Sequence, residues 1–133
     1  MKETFIPNHL HMLVRGYVYH PPSTTKETNQ FLIKLVEKVR MRVVAGPTSV
    51  YVSDPGNEGV TGTVTLATSH ASIHVWDSQK PAMFQFDLYS CSSFTPEEVI
   101  ECIDENLGLQ KAHYVFIDRN NDEFKEIERG QIN

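Results

Sequence analysis

A chain of 133 residues, 40% hydrophobic and 10% aromatic, suits one packed domain spanning residues 1–133 and is too apolar to be disordered. Its net charge of -5 and the lack of any basic run beyond Arg40 and Arg42 argue against general nucleic-acid or anionic-membrane binding, and no apolar run is long enough to span a membrane. The start "MKETFIPNHL" does not read as a signal peptide, and two cysteines, Cys91 and Cys102, are too few for a disulfide scaffold, so free thiols in a cytoplasmic protein are expected.

Leu10, Met12, Val14 and Val18 alternate with His11, Arg15 and Tyr17, which predicts a strand over residues 10–18 that Pro21 and Pro22 break. Thr24 and Glu27 have capping-box spacing, and Phe31, Leu32, Leu35, Val36 and Val39 then form one helical stripe, so a helix follows. Middle strands are expected at about 43–53, 60–67, 71–76 and 83–90, separated by the turn signals "DPGN" and "DSQKP". Thr95, Pro96 and Glu98 open a second helix carrying Val99, Ile100, Ile103 and Leu107, and Gly108 stops it. A last strand is expected near His113–Ile117, and the tail "NNDEFKEIERGQIN" reads as a mobile end. These elements predict an α/β chain of the α+β kind: a two-layer sandwich of a mainly antiparallel sheet with two helices packed on one face.

Because alternate strand side chains point opposite ways, the middle strands sort into two surfaces. One collects Val60, Val64, Leu66, Ile73, Val75, Phe84, Phe86 and Leu88 and is core. The other collects Thr61, Thr63, Thr65, Ser72, His74, Trp76, Gln85, Asp87, Tyr89 and Cys91. A solvated sheet face and a dimer interface both suit that surface, and the two are compatible. A metal held by His70, His74 and His11 is a third reading, but no HExxH, CxxC or carboxylate spacing supports it and no metal is expected. "ATSHA" lacks the GxSxG elbow of a Ser/His/Asp hydrolase.

The block "GVTGTVTLATSHASIHVW", followed by "FQFDLYSC", resembles the prokaryotic S-adenosylmethionine decarboxylase proenzymes, which carry GVSG, then ESH, then IHTW, then a strand ending in a Thr-Cys pair. The resemblance covers roughly residues 9–118. It implies a two-layer dimeric protein that makes its own cofactor by cutting the chain before a serine, here between Thr68 and Ser69. Attack of the Ser69 hydroxyl on the Thr68 carbonyl would give an ester, and β-elimination and hydrolysis would leave a pyruvoyl group derived from Ser69. On the same resemblance Thr61 stabilises the oxyanion and His74 is the base for elimination. Cys91 returns a proton to the substrate carbon after carbon dioxide leaves, while the pyruvoyl carbonyl holds the substrate amine as a Schiff base. Asp77, Tyr51 and Trp76 are the implied substrate-binding residues.

Three positions depart from the family pattern. Thr68 stands where the family has Glu, "VSDPGNEG" offers only Tyr51 nearby to hold an adenine, and Ser78, beside Asp77, replaces the glutamate that grips the ribose. The leading expectation is decarboxylation of S-adenosylmethionine for spermidine synthesis. The same chemistry on ornithine or arginine is favoured by the altered nucleoside positions and by Asp54, Glu58, Asp77 and Asp87. A non-cleaving homologue with a binding or regulatory role is favoured by Thr68.

Overall fold

The computed structural model describes residues 4–133. The elements run β1 (Leu10–Val18), α1 (Thr25–Lys38), β2 (Val43–Val52), β3 (Gly59–Leu66), β4 (Ser69–Trp76), β5 (Ala82–Ser90), α2 (Pro96–Leu107), β6 (Leu109–Asp118) and β7 (Lys125–Ile132). The strands form one sheet in the order β2-β3-β4-β5-β1-β6-β7, and every neighbouring pair is antiparallel. β1 is inserted between β5 and β6, so the first strand of the sequence ties the β2–β5 meander to the C-terminal strands.

Both helices cover one face, α1 over β2 and β3 and α2 over β6 and β1, as the α+β two-layer reading expects. Thr24 accepts a hydrogen bond from the Glu27 N–H, and Thr95 and Glu98 form a complete capping box, so each helix starts where its orphan amides find an oxygen. The apolar stripe of α1 is buried from Phe31 to Val39, and all eight predicted core residues of β3 to β5 are buried with it. Each such side chain contributes about 1.5–3 kcal/mol of transfer free energy, so the helix-on-sheet layer dominates the fold. Lys38 places a basic side chain in the last turn of α1, where it suits the helix dipole, and Arg40, beyond the helix end at φ +61°, pairs with Glu98 of α2.

Among the described residues no helix covers the other sheet face. It is concave, with a hollow of about 610 Å³ whose lining includes Leu13, Arg15, Ser72, His74, His113 and Arg129. None of the described helices is long and apolar enough to cross a membrane.

Two expectations are corrected. The last predicted strand is twice as long, and the supposed mobile tail is mostly β7, paired to β6 from Ala112↔Ile132 to Asp118↔Lys125. As an outer strand rich in charge, β7 has too little apolar alternation to betray itself in sequence. It is held by Tyr114, whose ring lies over Gly130 and whose hydroxyl bonds to Glu128.

Candidate active site

β3 and β4 are joined by the two-residue turn Ala67–Thr68, with Leu66 paired to Ser69. Ser69 is therefore the first residue of β4 rather than part of a loop, and it is only 7% exposed. The Cys91 amide, one residue past β5, donates to Ser69 Oγ at 2.9 Å. Thr68 Oγ1 lies 3.0 Å from Cys91 Sγ and 2.8 Å from the Ala67 carbonyl, and the thiol lies 3.4 Å from that same carbonyl. The Asn8 amide fixes this corner from the start of β1 by donating to the Cys91 carbonyl at 2.8 Å. Burial raises the pKa of the Cys91 thiol, but hydrogen bonds from Ser69 and Thr68 outweigh it and the net direction is below the ordinary thiol value. A buried hydroxyl beside a carbonyl, with a tuned thiol on the far side, can serve as nucleophile and proton carrier.

Thr61 and His74 form a second group. They are directly paired across β3 and β4, with Thr61 Oγ1 3.1 Å from His74 Nδ1. The two glycines of "GVTG" place this pair. Gly62 seats α1, since a Cβ there would meet Thr28 Cγ2 at 2.7 Å and Leu32 Cδ1 at 3.1 Å, and Gly59 lies directly against the backbone of Val75. Trp76 follows on the same face, its ring centroid 6.3 Å from that of His74, and its indole N–H donates to Asn57 Oδ1 at 2.7 Å. Tyr51 donates to Asp77 Oδ1 at 3.1 Å at the same end of the sheet. Burial first and the Asp77 hydrogen bond second hold the Tyr51 phenol above its ordinary value. Glu58, whose charge also acts on Tyr51, has one buried carboxylate oxygen, Oε1, without a hydrogen-bond partner.

Within one chain the two groups stay apart. The Leu66↔Ser69 and Thr61↔His74 pairs stand at opposite ends of one hairpin, five residues apart on each strand. At about 3.3 Å per residue that is roughly 17 Å, far beyond the ~3 Å reach of proton transfer. The four catalytic candidates implied by the resemblance thus form two half-sites, Ser69 with Cys91 and Thr61 with His74, rather than one cluster.

Between the half-sites runs a polar network that sequence reading only partly anticipated. His11 Nε2 lies 2.8 Å and His70 Nε2 3.4 Å from Asp87 Oδ2, and Ser72 bonds to the other carboxylate oxygen. His9 Nδ1 lies 2.7 Å from the Tyr89 hydroxyl, and Arg119 sits over the Tyr89 ring while its Nη1 lies 3.0 Å from His11 Nδ1. Burial raises the Asp87 pKa, yet the bonds from His11 and Ser72 prevail and hold the carboxyl below its ordinary value. His11, His70 and Asp87 bring possible ligand atoms within 4.8 Å of one another, and His74 does not join them. Arg119 opposes a metal there, because a metal-bound imidazole must donate from its second nitrogen and His11 Nδ1 instead faces a guanidinium donor. Arg119 and His9 escaped sequence reading; only the β1–β6 pairing, Leu10↔Asp118, brings Arg119 beside His11.

The sequence model for S-adenosylmethionine decarboxylase matches residues 11–120, which is most of the chain and includes every residue of the two half-sites. The chain belongs to the S-adenosylmethionine decarboxylase family. Among curated relatives, proteins described as S-adenosylmethionine decarboxylase proenzyme from Thermococcus onnurineus and Pyrococcus abyssi are each 36% identical over 69 residues, 51% of this chain and 48% of theirs. The one from Pyrococcus horikoshii is 36% identical over 66 residues, 49% of this chain and 46% of its own. The chain spans about half the length of the curated relatives it matches. The family match runs from β1 through β6 and stops before β7, so the strand held by Tyr114 lies outside it.

Proposed function

We propose that this member of the S-adenosylmethionine decarboxylase family is a self-cleaving, pyruvoyl-dependent lyase that cuts itself between Thr68 and Ser69 and decarboxylates S-adenosylmethionine in the route to spermidine. The observation that carries the reading is the Ser69 hydroxyl, buried against the Cys91 amide and adjacent to the Thr68 carbonyl. In the first step Ser69 Oγ bonds to the Thr68 carbonyl carbon, the carbon–nitrogen bond breaks, and the hydroxyl proton passes to the freed amine. His74 then takes the Ser69 α-proton and Thr68 leaves as a carboxylate, after which water replaces the imine nitrogen as ammonia departs. The pyruvoyl carbonyl, once formed at residue 69, supplies an electron sink for the substrate carbon that loses carbon dioxide. Cys91 holds the proton returned to that carbon. Trp76 supplies an aromatic wall, and Asp77, Tyr51 and the unpartnered oxygen of Glu58 supply acceptors and a donor for the polar groups of the substrate.

The roughly 17 Å between half-sites supports a homodimer in which each site takes Ser69 and Cys91 from one copy and Thr61 and His74 from the other. A twofold axis lying between two uncovered sheet faces and crossing their strands brings opposite ends of the hairpin together. Two other readings rest on particular residues. Acidic Glu58 and Asp77 favour ornithine or arginine as the substrate, and Thr68, in place of a carboxylate, favours an uncut binding homologue.

Release of labelled carbon dioxide decides among them, with carboxyl-labelled S-adenosylmethionine, ornithine and arginine offered in turn. Release from S-adenosylmethionine, reduced at least about 100-fold in Cys91→Ala, is the expected result. Release from one of the others alone would reassign the substrate, and none from any would refute the decarboxylase reading.

A further inference from the structure

Thr68 is one of two non-glycine residues at positive φ among the described residues, and it is the β-branched one, at +51°. A β-branched side chain in the left-handed region is a steric outlier, because its Cβ branches crowd the flanking peptide groups. The turn imposes this conformation. Ala67 stays at negative φ and only the second turn residue is positive, the signs of a type II turn, which needs positive φ at that position and ordinarily fills it with Gly or Asn, not with a β-branched residue. The strain therefore sits at the residue that supplies the carbonyl of the Thr68–Ser69 bond, and the short Leu66↔Ser69 hairpin holds it there.

We propose that the left-handed backbone of Thr68 drives the acyl shift at Thr68–Ser69, compensating in this chain for the absent carboxylate. The inference rests on the self-cleaving reading and deepens it. In the shift the Thr68 carbon exchanges nitrogen for Ser69 Oγ, and the proton moves from oxygen to nitrogen, so nothing enters or leaves. The ester lengthens the path from the Thr68 carbonyl carbon to the Ser69 Cα by one bond, C–Oγ–Cβ–Cα in place of C–N–Cα, and the turn can then relax. Strain present in the amide and lost in the ester favours the ester, whose formation is otherwise uphill.

The test follows the rate of chain cutting in freshly made protein for Thr68→Asn, Thr68→Gly and Thr68→Val. Asn and Gly accept positive φ, so both should cut about tenfold more slowly, a difference of about 1.4 kcal/mol. Val keeps the branching and loses only the hydroxyl, and should stay within about threefold of the parent. In the uncleavable Ser69→Ala background, Thr68→Asn should raise the melting temperature by about 4 °C, reading the strain without any reaction. Parent-like cutting in Asn and Gly, slowing of Val as severe as that of Asn, or no gain in melting temperature would each overturn the inference while self-cleavage stands. A parent chain that never cuts would instead remove the self-cleaving reading, and this inference with it.

Discussion

Asp87 shows how one side chain on the uncovered face is tuned by its neighbours. It accepts hydrogen bonds from His11 and Ser72 that outweigh the cost of its burial. Its folded-state pKa lies below the unfolded value near 3.8, so its stabilisation is fully present above that pH and is lost as the pH falls through the lower folded value. Asp87→Asn should lower stability at pH 7 and flatten the acid limb of a stability-versus-pH curve below pH 4. An acid limb identical to the parent's would mean the carboxylate is not coupled to folding. Side chains such as His74 and Thr61 were legible in sequence, since strand alternation alone put them on one face. Arg119 was not, because 108 residues separate it from His11 and no local periodicity encodes a β1–β6 register.

At the scale of elements, local physics was legible wherever capping and apolar period agreed. β1 and both helices fall where their alternation, caps and stops predict, and β4 differs only by starting two residues earlier, at Ser69. β7 was hidden because an outer strand is stabilised by its ladder and one anchor rather than by an apolar face. That anchor is Tyr114, whose phenol is pushed up to about 12 first by its hydrogen bond to Glu128 and then by burial. A raised phenol pKa means the contact is intact below about pH 10 and fails as the pH climbs toward 12. Gly130→Ala should place a methyl group against the Tyr114 ring, displace it, and cost about 1–3 kcal/mol. Amide exchange should then quicken across residues 125–132, and unchanged exchange there would show that β7 does not depend on the Tyr114 contact.

The whole molecule presents the feature that no reading of single positions reveals. Thr61, Ser69 and His74 share one hairpin, and its pairing register shows that Ser69 and His74 mark opposite ends of it. A site shared between two copies makes a specific prediction about mixtures. Chains carrying His74→Ala keep Ser69, and chains carrying Ser69→Ala keep His74. Neither variant alone should complete processing, whereas refolding them together should yield a pyruvoyl-ended fragment from the His74→Ala chain. A mixture as inert as its components would refute a site shared between two copies.

Self-cleavage before Ser69 is the central proposal, and intact mass spectrometry of the denatured protein tests it most directly. Cutting after residue 68 of 133 should give fragments of 68 and 65 residues, the second beginning with a pyruvoyl group and closed to N-terminal sequencing. A single species at the full 15.2 kDa would contradict the account and leave an uncut homologue.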